Sequence, residues 1–248
     1  MKITSVNNDL VKETAKLLKT KYRDESGLFL IEGEKGVSEA LLAGLEIERI
    51  FVIENESLFN GENVIETTEA VLSKISDAKS SPKVVAVAKQ PKPDFEKLPT
   101  LNKVVLLEAI KDAGNLGTIL RSSAAFGVDG IVLYGDTVDL YNPKCVRSTV
   151  GNLWKVPVFK IKDLEQLKEN FADYERVATL PKGLNVVDLK DFVASQKTLL
   201  MFGSEADGLS EDLKNFATKN LTIEMESNVE SLNLSISVGV ILYKMFVQ

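Results

Sequence analysis

The 248-residue sequence contains no histidine. Ser–His–Asp and Cys–His catalysis are thereby excluded, because both need an imidazole to take the nucleophile's proton. A single cysteine, Cys145, rules out an internal disulfide and fits a reducing cytoplasm. With no histidine beside it, one thiol also argues against a zinc site. Long apolar runs are missing: the stretches 84–88 and 238–243 are far too short to span a bilayer, so no membrane partner is expected. The opening Met1-Lys2-Ile3-Thr4-Ser5 has no apolar signal core, so export is not expected and the location reads as cytoplasmic. Positive charge is in short supply as well. Thirty Lys and Arg stand against 36 Asp and Glu, a net charge of -6. Phosphate neutralisation needs basic residues, so this balance disfavours a nucleic-acid partner unless the charges are segregated.

They are segregated. Residues 1–23 carry Lys2, Lys12, Lys16, Lys19, Lys21 and Arg23 against only Asp9 and Glu13, a local excess of +4. The apolar positions Leu10, Val11, Ala15, Leu17 and Leu18 predict an amphipathic helix over 8–22. On it Lys12, Lys16, Lys19 and Arg23 recur at steps of four, three and four and share a face. Two readings stand, a solvated surface stripe and a phosphate-tracking one. Further on, strands are expected over 28–32, 47–53, 64–65 and 84–88, with helices over 34–43 and 69–75. This small α/β domain covers 1–90. Pro91, Pro93 and Pro99 then mark a linker over 91–100, since proline fits neither a helix interior nor a central strand.

Apolar content of 44% and charged content of 27% are those of a globular chain long enough for two domains. Beyond the linker, over 101–248, strand-like runs at 104–108, 130–134, 156–159, 177–180, 199–202 and 221–225 alternate with helix-like ones. The helices expected are 116–126, 143–150, 163–171, 211–217 and a last one from about Leu232. Such alternation predicts a mostly parallel sheet with helices on both faces. Ligands of such sheets bind beyond the carboxyl ends of the strands. Three loops there carry unusual residues. The first places Gly114, Asn115 and Gly117 at a strand-to-helix turn, with Arg121 further along. The glycines let a backbone approach a ligand, but a dinucleotide fingerprint needs a third one. The second loop is Gly203-Ser204-Glu205-Ala206-Asp207-Gly208, whose Glu205 and Asp207 read either as solvated carboxylates or as metal ligands. The third is Ser231-Leu232-Asn233, where the ordinary reading is a helix cap and the alternative is a site wall.

Together the three loops resemble the motifs of the SpoU (TrmH) branch of the SPOUT RNA methyltransferases. They match Asn-x-Gly-x5-Arg at 115–121 loosely, with Arg121 somewhat nearer, Gly-x-Glu-x-x-Gly at 203–208, and Ser-Leu-Asn at 231–233. The likeness covers residues 103–248. More loosely, residues 1–90 are similar to the L30e-like substrate-binding domain of that family. The resemblance implies an α/β protein: a small L30e-like N-terminal domain and a parallel-sheet SPOUT domain with a C-terminal trefoil knot. It implies a homodimer that transfers methyl from S-adenosylmethionine to a ribose 2′-hydroxyl of structured RNA, ribosomal RNA ahead of transfer RNA. Arg121, Asn115, Glu205, Ser231 and Asn233 would serve catalysis, with Glu205 pairing with Arg121 or orienting it. Thr179, Leu180, Gly203, Ile223, Leu232 and Asn233 would hold the cofactor. Lys12, Lys16, Lys19 and Arg23 would contact RNA, and no metal is expected. The segment 146–153 departs mildly from the family's Arg-Ala-Ser-Met-Gly-Ala, with Thr149 keeping a hydroxyl at the serine position. The other readings are a non-catalytic RNA-binding protein of this fold and a nucleotide-dependent oxidoreductase with a Rossmann-like site at Gly114.

Overall fold

The computed structural model describes residues 1–248 except 55–58, 184, 227 and 230. In chain order, β1 (Lys2–Ile3), α1 (Asp9–Lys16), α2 (Thr20–Ser26), β2 (Leu28–Glu32) and α3 (Glu34–Leu42) come first. They are followed by β3 (Ile47–Ile53), β4 (Val64–Thr67), α4 (Glu69–Lys74) and β5 (Val84–Lys89). After a 3-10 turn over Phe95–Thr100 come β6 (Lys103–Glu108), α5 (Ala113–Ala125), β7 (Gly130–Tyr134) and α6 (Pro143–Ser148). Next are β8 (Val158–Ile161), α7 (Leu164–Asn170), β9 (Glu175–Thr179) and β10 (Val187–Asp188). The chain ends with β11 (Thr198–Phe202), α8 (Glu211–Phe216), β12 (Lys219–Thr222) and α9 (Leu234–Phe246). Contacts divide it into two units, one of residues 1–92 with 139–155, the other of 93–138 with 156–248.

The first unit holds a five-stranded sheet in the order β1-β4-β3-β5-β2. β5 runs antiparallel to both β2 and β3, and its residues Val84 to Ala88 are fully buried. β-branched side chains on both faces explain why this run reads as continuously apolar. The expected helix over 8–22 is broken in two. α1 stops at Lys16, Lys19 is extended with φ -105° and ψ 134°, and α2 restarts at Thr20. The break leaves the Leu17 carbonyl without a helical donor, and Arg23 Nη1 takes it at 2.7 Å. Arg23 is only 1% exposed. Its Nε donates to Asp139 Oδ2 at 2.8 Å and its Nη2 to Thr20 Oγ1 at 2.9 Å. This corrects the expected lysine stripe: Arg23 holds the fold and is not free for phosphate, whereas Lys12, Lys16 and Lys19 are exposed.

Residues 139–155 were expected within the alternation of the second domain, yet their contacts lie with the first unit. α6 packs on β2. Arg147 bonds Glu32 at 2.9 Å and also pairs with Asp77. Burial pushes the Glu32 carboxyl above the usual range, against the pull of the Arg147 guanidinium and the Ser76 hydroxyl. The Tyr141 ring lies 4.7 Å from that of Phe29. Gly151 has φ +81°, and a Cβ there would meet Glu39 Cγ at 2.9 Å, so the close approach requires glycine. Within the expected linker, residues 95–100 wind into a 3-10 turn whose Leu98 is fully buried in the second unit's core. Pro99 is tolerated there because so short a turn has few ladder bonds to lose.

The second unit is built on a seven-stranded sheet in the order β10-β12-β9-β11-β6-β7-β8, with parallel neighbours throughout. The expected strands are present, 130–134 unchanged and the others with shifts of up to three residues at an end, and β10 is an edge strand too short to read from pattern. Val104, Leu106, Phe159, Leu199 and Met201 pack with Leu167, Phe171 and Leu213 in one core. The alternate residues Val105, Leu107, Ile131 and Leu133 are buried too, because successive side chains point to opposite faces. α5 and α9 pack against each other, and a Cβ on Gly239 would stand 3.8 Å from Ser122 Oγ. No helix among the described residues is long and apolar enough to cross a membrane.

Candidate active site

β12, β9 and β11 are neighbours in the sheet, and their carboxyl ends at Thr222, Thr179 and Phe202 open into one cavity of about 690 Å³. Its volume is that of a site for a medium-sized organic ligand. Leu180, Phe202, Ile223, Met225, Leu232 and Ile241 give it apolar walls. Thr179, Ser204, Glu205, Asp207, Ser231 and Asn233 supply the polar ones. All six residues expected to hold a cofactor line this cavity, namely Thr179, Leu180, Gly203, Ile223, Leu232 and Asn233. Such walls suit a molecule with one flat apolar part and one charged, hydrogen-bonding part.

The loop 203–208 owes its shape to its two glycines. Ser204 and Gly208 form an antiparallel bridge, each N–H donating to the other's carbonyl at 3.1 Å. Gly208 sits at φ +68°, the left-handed region that favours glycine. A Cβ on Gly203 would lie 1.9 Å from the carbonyl carbon of Gly208. Inside that bridge Asp207 N–H donates to Ser204 Oγ at 3.0 Å. The tight return presents Glu205 at the cavity wall.

A chain of side-chain hydrogen bonds joins the three loops. Asn233 caps α9, its Oδ1 accepting from Ser235 N–H at 2.9 Å and from Ser235 Oγ at 2.6 Å. With the oxygen so engaged, the amide nitrogen faces the other way, and Nδ2 donates to Asn115 Oδ1 at 3.1 Å. Asn115 is then fixed in turn, with Nδ2 donating to Glu205 Oε1 at 2.8 Å. Glu205 Oε1 is the acceptor at the end of this chain. Capping and site-building are one role for Asn233. Asp112 Oδ1, accepting Asn115 N–H at 2.8 Å, caps α5 and holds that end of the chain.

Arg121 stands apart. It is exposed on α5, does not line the cavity, and has no side-chain hydrogen bond or ion pair among the described residues. The expected pairing of Glu205 with Arg121 is therefore corrected: Glu205 takes Asn115. Six residues at about 100° each turn Arg121 well away from the helix face of Asn115. Ser231 lines the cavity as expected. The sequence reading missed Ser237 and Ile241, which also line it. They lie one and two turns beyond Asn233 on α9, so helical periodicity from the capping residue would have found them. Thr222 was missed because the end of β12 was placed at 225 and not 222. Among the described residues no group of three or more His, Cys, Asp or Glu could hold a metal ion.

Comparison with known proteins gives concordant results. Residues 102–243 match the family model of the SpoU rRNA Methylase family, and residues 8–86 match an MRM3-like substrate binding domain. An uncharacterised tRNA/rRNA methyltransferase of Synechocystis sp. is 33% identical, over 98% of this chain and 92% of its own length. The 23S rRNA (guanosine(2553)-2′-O)-methyltransferase of Bacillus subtilis is 30% identical, over 97% of each chain. The crystal structure of an AdoMet-bound rRNA methyltransferase from Sinorhizobium meliloti superposes with a TM-score of 0.87 at 30% identity, covering 98% of this chain and 96% of that one.

Proposed function

This chain belongs to the SpoU rRNA Methylase family, and from that membership we propose that it transfers a methyl group from S-adenosylmethionine to a ribose 2′-hydroxyl of ribosomal RNA. The observation that carries the reading is the hydrogen-bonded chain Asn233–Asn115–Glu205, which brings all three motif loops to one cavity. The walls fit S-adenosylmethionine: apolar Leu180, Ile223 and Leu232 for the adenine, polar Thr179, Ser231 and Asn233 for the ribose and amino-acid ends. Bound there, the cofactor supplies an electrophilic methyl on a sulfonium leaving group, chemistry that needs no histidine. Calorimetric titration tests this directly. Micromolar binding is expected, and no detectable binding would favour a non-catalytic RNA-binding protein.

The chain's own residues orient the partners and manage one proton. Asn115 holds Oε1 of Glu205 and leaves Oε2 without a hydrogen-bond partner among the described residues, available to accept from a ligand hydroxyl or amine. Arg121, permanently charged, is a poor base at neutral pH. Its role is to clamp a backbone phosphate of the RNA and stabilise charge that develops on the attacking oxygen. Gly203→Ala is expected to force the 203–208 loop open and weaken S-adenosylmethionine binding by tenfold or more, since overpacking costs about 1–3 kcal/mol. Unchanged affinity by calorimetry would show that the loop does not shape the site.

Ribosomal RNA is favoured over transfer RNA because the Bacillus subtilis relative, similar along its whole length, is named for 23S rRNA. The N-terminal unit, L30e-like, serves as the RNA-binding part, with Lys12, Lys16 and Lys19 on phosphates. Changing these three to Ala is expected to lower the slope of log K against log salt by about 2–3, since each phosphate contact contributes close to one. An unchanged slope in filter binding returns them to solvated surface. On α9 and its C-cap, Ile236, Val240, Tyr243 and Val247 are 53%, 40%, 56% and 57% exposed and follow one another at steps of four, three and four. A stripe this apolar is best covered by a second copy of the chain, as a homodimer. In this reading the C-terminal segment forms the trefoil knot that the resemblance to the SpoU branch implies. The enzyme works in the cytoplasm, beside its substrate.

A further inference from the structure

A second cavity, of about 270 Å³, lies in the first unit between α1, α2 and β3. Leu17 and Leu28 form part of its floor and the half-buried ring of Tyr22 part of its wall. Lys16 and Lys21 place their ammonium groups 5.8 and 5.9 Å from the centre of that ring. The remaining charged lining residues are Glu13, Glu25 and Arg49. The lining itself holds two acids, Glu13 and Glu25, and two bases, Lys16 and Arg49; outside it Lys21 pairs with Glu25 at 3.9 Å and Glu48 with Arg49 at 2.9 Å. A bare phosphate would meet two carboxylates there and is disfavoured. The cavity is small for a cofactor. A flat heterocycle that stacks on a phenol ring, offers amino hydrogens to carboxylates and carries its phosphate outside fits every part of it.

We propose that this cavity takes a single unpaired, amino-bearing nucleobase of the RNA, cytosine being the case that can be tested most cleanly. Tyr22 is the stacking platform, and Glu25 with Glu13 accepts from the exocyclic amine, as acidic side chains do from cytosine N4. Uracil puts a carbonyl where cytosine has the amine, and a carboxylate repels it. Lys12, exposed on α1, and Lys19, exposed in the break before α2, are available to the flanking phosphates in this reading. The inference rests on the reading of the chain as an RNA methyltransferase and adds an unpaired-base contact remote in sequence from the 2′-hydroxyl chemistry.

The test uses the full-length protein and two fluorescein-labelled single strands of equal length, oligocytidylate and oligouridylate. Cytidylate is expected to bind about tenfold more tightly, within the range of one good base contact. Tyr22→Leu is expected to weaken cytidylate binding by about five- to a hundredfold, the usual effect of removing a stacking ring, and Tyr22→Phe to restore it. Glu25→Leu, at an exposed position that does not endanger folding, is expected to narrow the cytidylate preference. Equal binding of the two strands, or full cytidylate affinity in Tyr22→Leu, overturns the proposal. If Tyr22→Leu fails to fold, an unaltered preference in Glu25→Leu overturns it alone. Methylation of ribosomal RNA by the same preparations separates the two levels. Its loss in the wild type removes the enzymatic reading, whereas normal methylation with no effect of either variant on cytidylate binding removes only the base pocket.

Discussion

Arg121→Ala is expected to lower the methyl-transfer rate by at least about a hundredfold, the usual effect of removing a group that stabilises transition-state charge, while leaving S-adenosylmethionine affinity unchanged. The second half follows from the geometry: Arg121 lies outside the cavity lined by Thr179, Gly203 and Asn233. Among the described residues no acid pairs with this exposed guanidinium, so none of those pairs is lost when it closes on phosphate. Its planar fork matches two phosphate oxygens at once. Lysine keeps the charge and loses the fork, so Arg121→Lys should recover only part of the rate. Single-turnover kinetics with saturating cofactor separates the chemical step from binding. A rate within a few fold of wild type would remove Arg121 from the reaction, and a parallel loss of cofactor affinity would move it into the cofactor site.

Arg23→Ala is expected to destabilise the first unit by about 3–5 kcal/mol, the cost of leaving a buried partner charge unpaired. Asp139, 11% exposed, would lose a pair made at 2.6 Å, and the Leu17 carbonyl would lose its donor. The chain's single tryptophan, Trp154, belongs to the same unit, so its fluorescence follows that unit's unfolding in urea. Replacing both charges, as Arg23→Met with Asp139→Leu, should cost much less than the two single changes added together. RNA affinity at a temperature where the variant is folded should stay near normal. A loss of affinity without loss of stability would return Arg23 to the phosphate-tracking face.

Arg23 also shows where the sequence stopped being readable. Its spacing from Lys12, Lys16 and Lys19 is helical, yet the helix breaks at 17–19 and Arg23 is buried against a distant residue, Asp139. Periodicity carries no information about a contact 116 positions away. The same long reach places α6 with the first unit through Arg147 and Glu32, although its place in the alternation looked like that of a second-domain helix. The cofactor-sized cavity was legible for the opposite reason. A parallel sheet puts its ligand at the carboxyl ends of its strands, expected near 180, 202 and 225, and the resemblance to the family's motifs supplied the residues beside them. Gly203 and Gly208 were legible as a motif, but only the structure shows why each must be glycine, one by close approach and one by a left-handed turn. The bond from Asn115 to Glu205, in place of one from Arg121, depends on helix phase over six residues and was beyond a pattern of short motifs.

The central claim is that the cavity and its three joined loops carry out ribose 2′-O-methylation. The most direct test incubates the purified protein with isotope-labelled S-adenosylmethionine and ribosomal RNA from cells lacking the gene, followed by digestion to nucleosides and mass spectrometry. Label in a 2′-O-methylated nucleoside at one site, lost in Arg121→Ala and in Gly203→Ala, is the predicted result. Label on a base, or none in any ribosomal RNA fraction under conditions where the protein binds the cofactor, would contradict it.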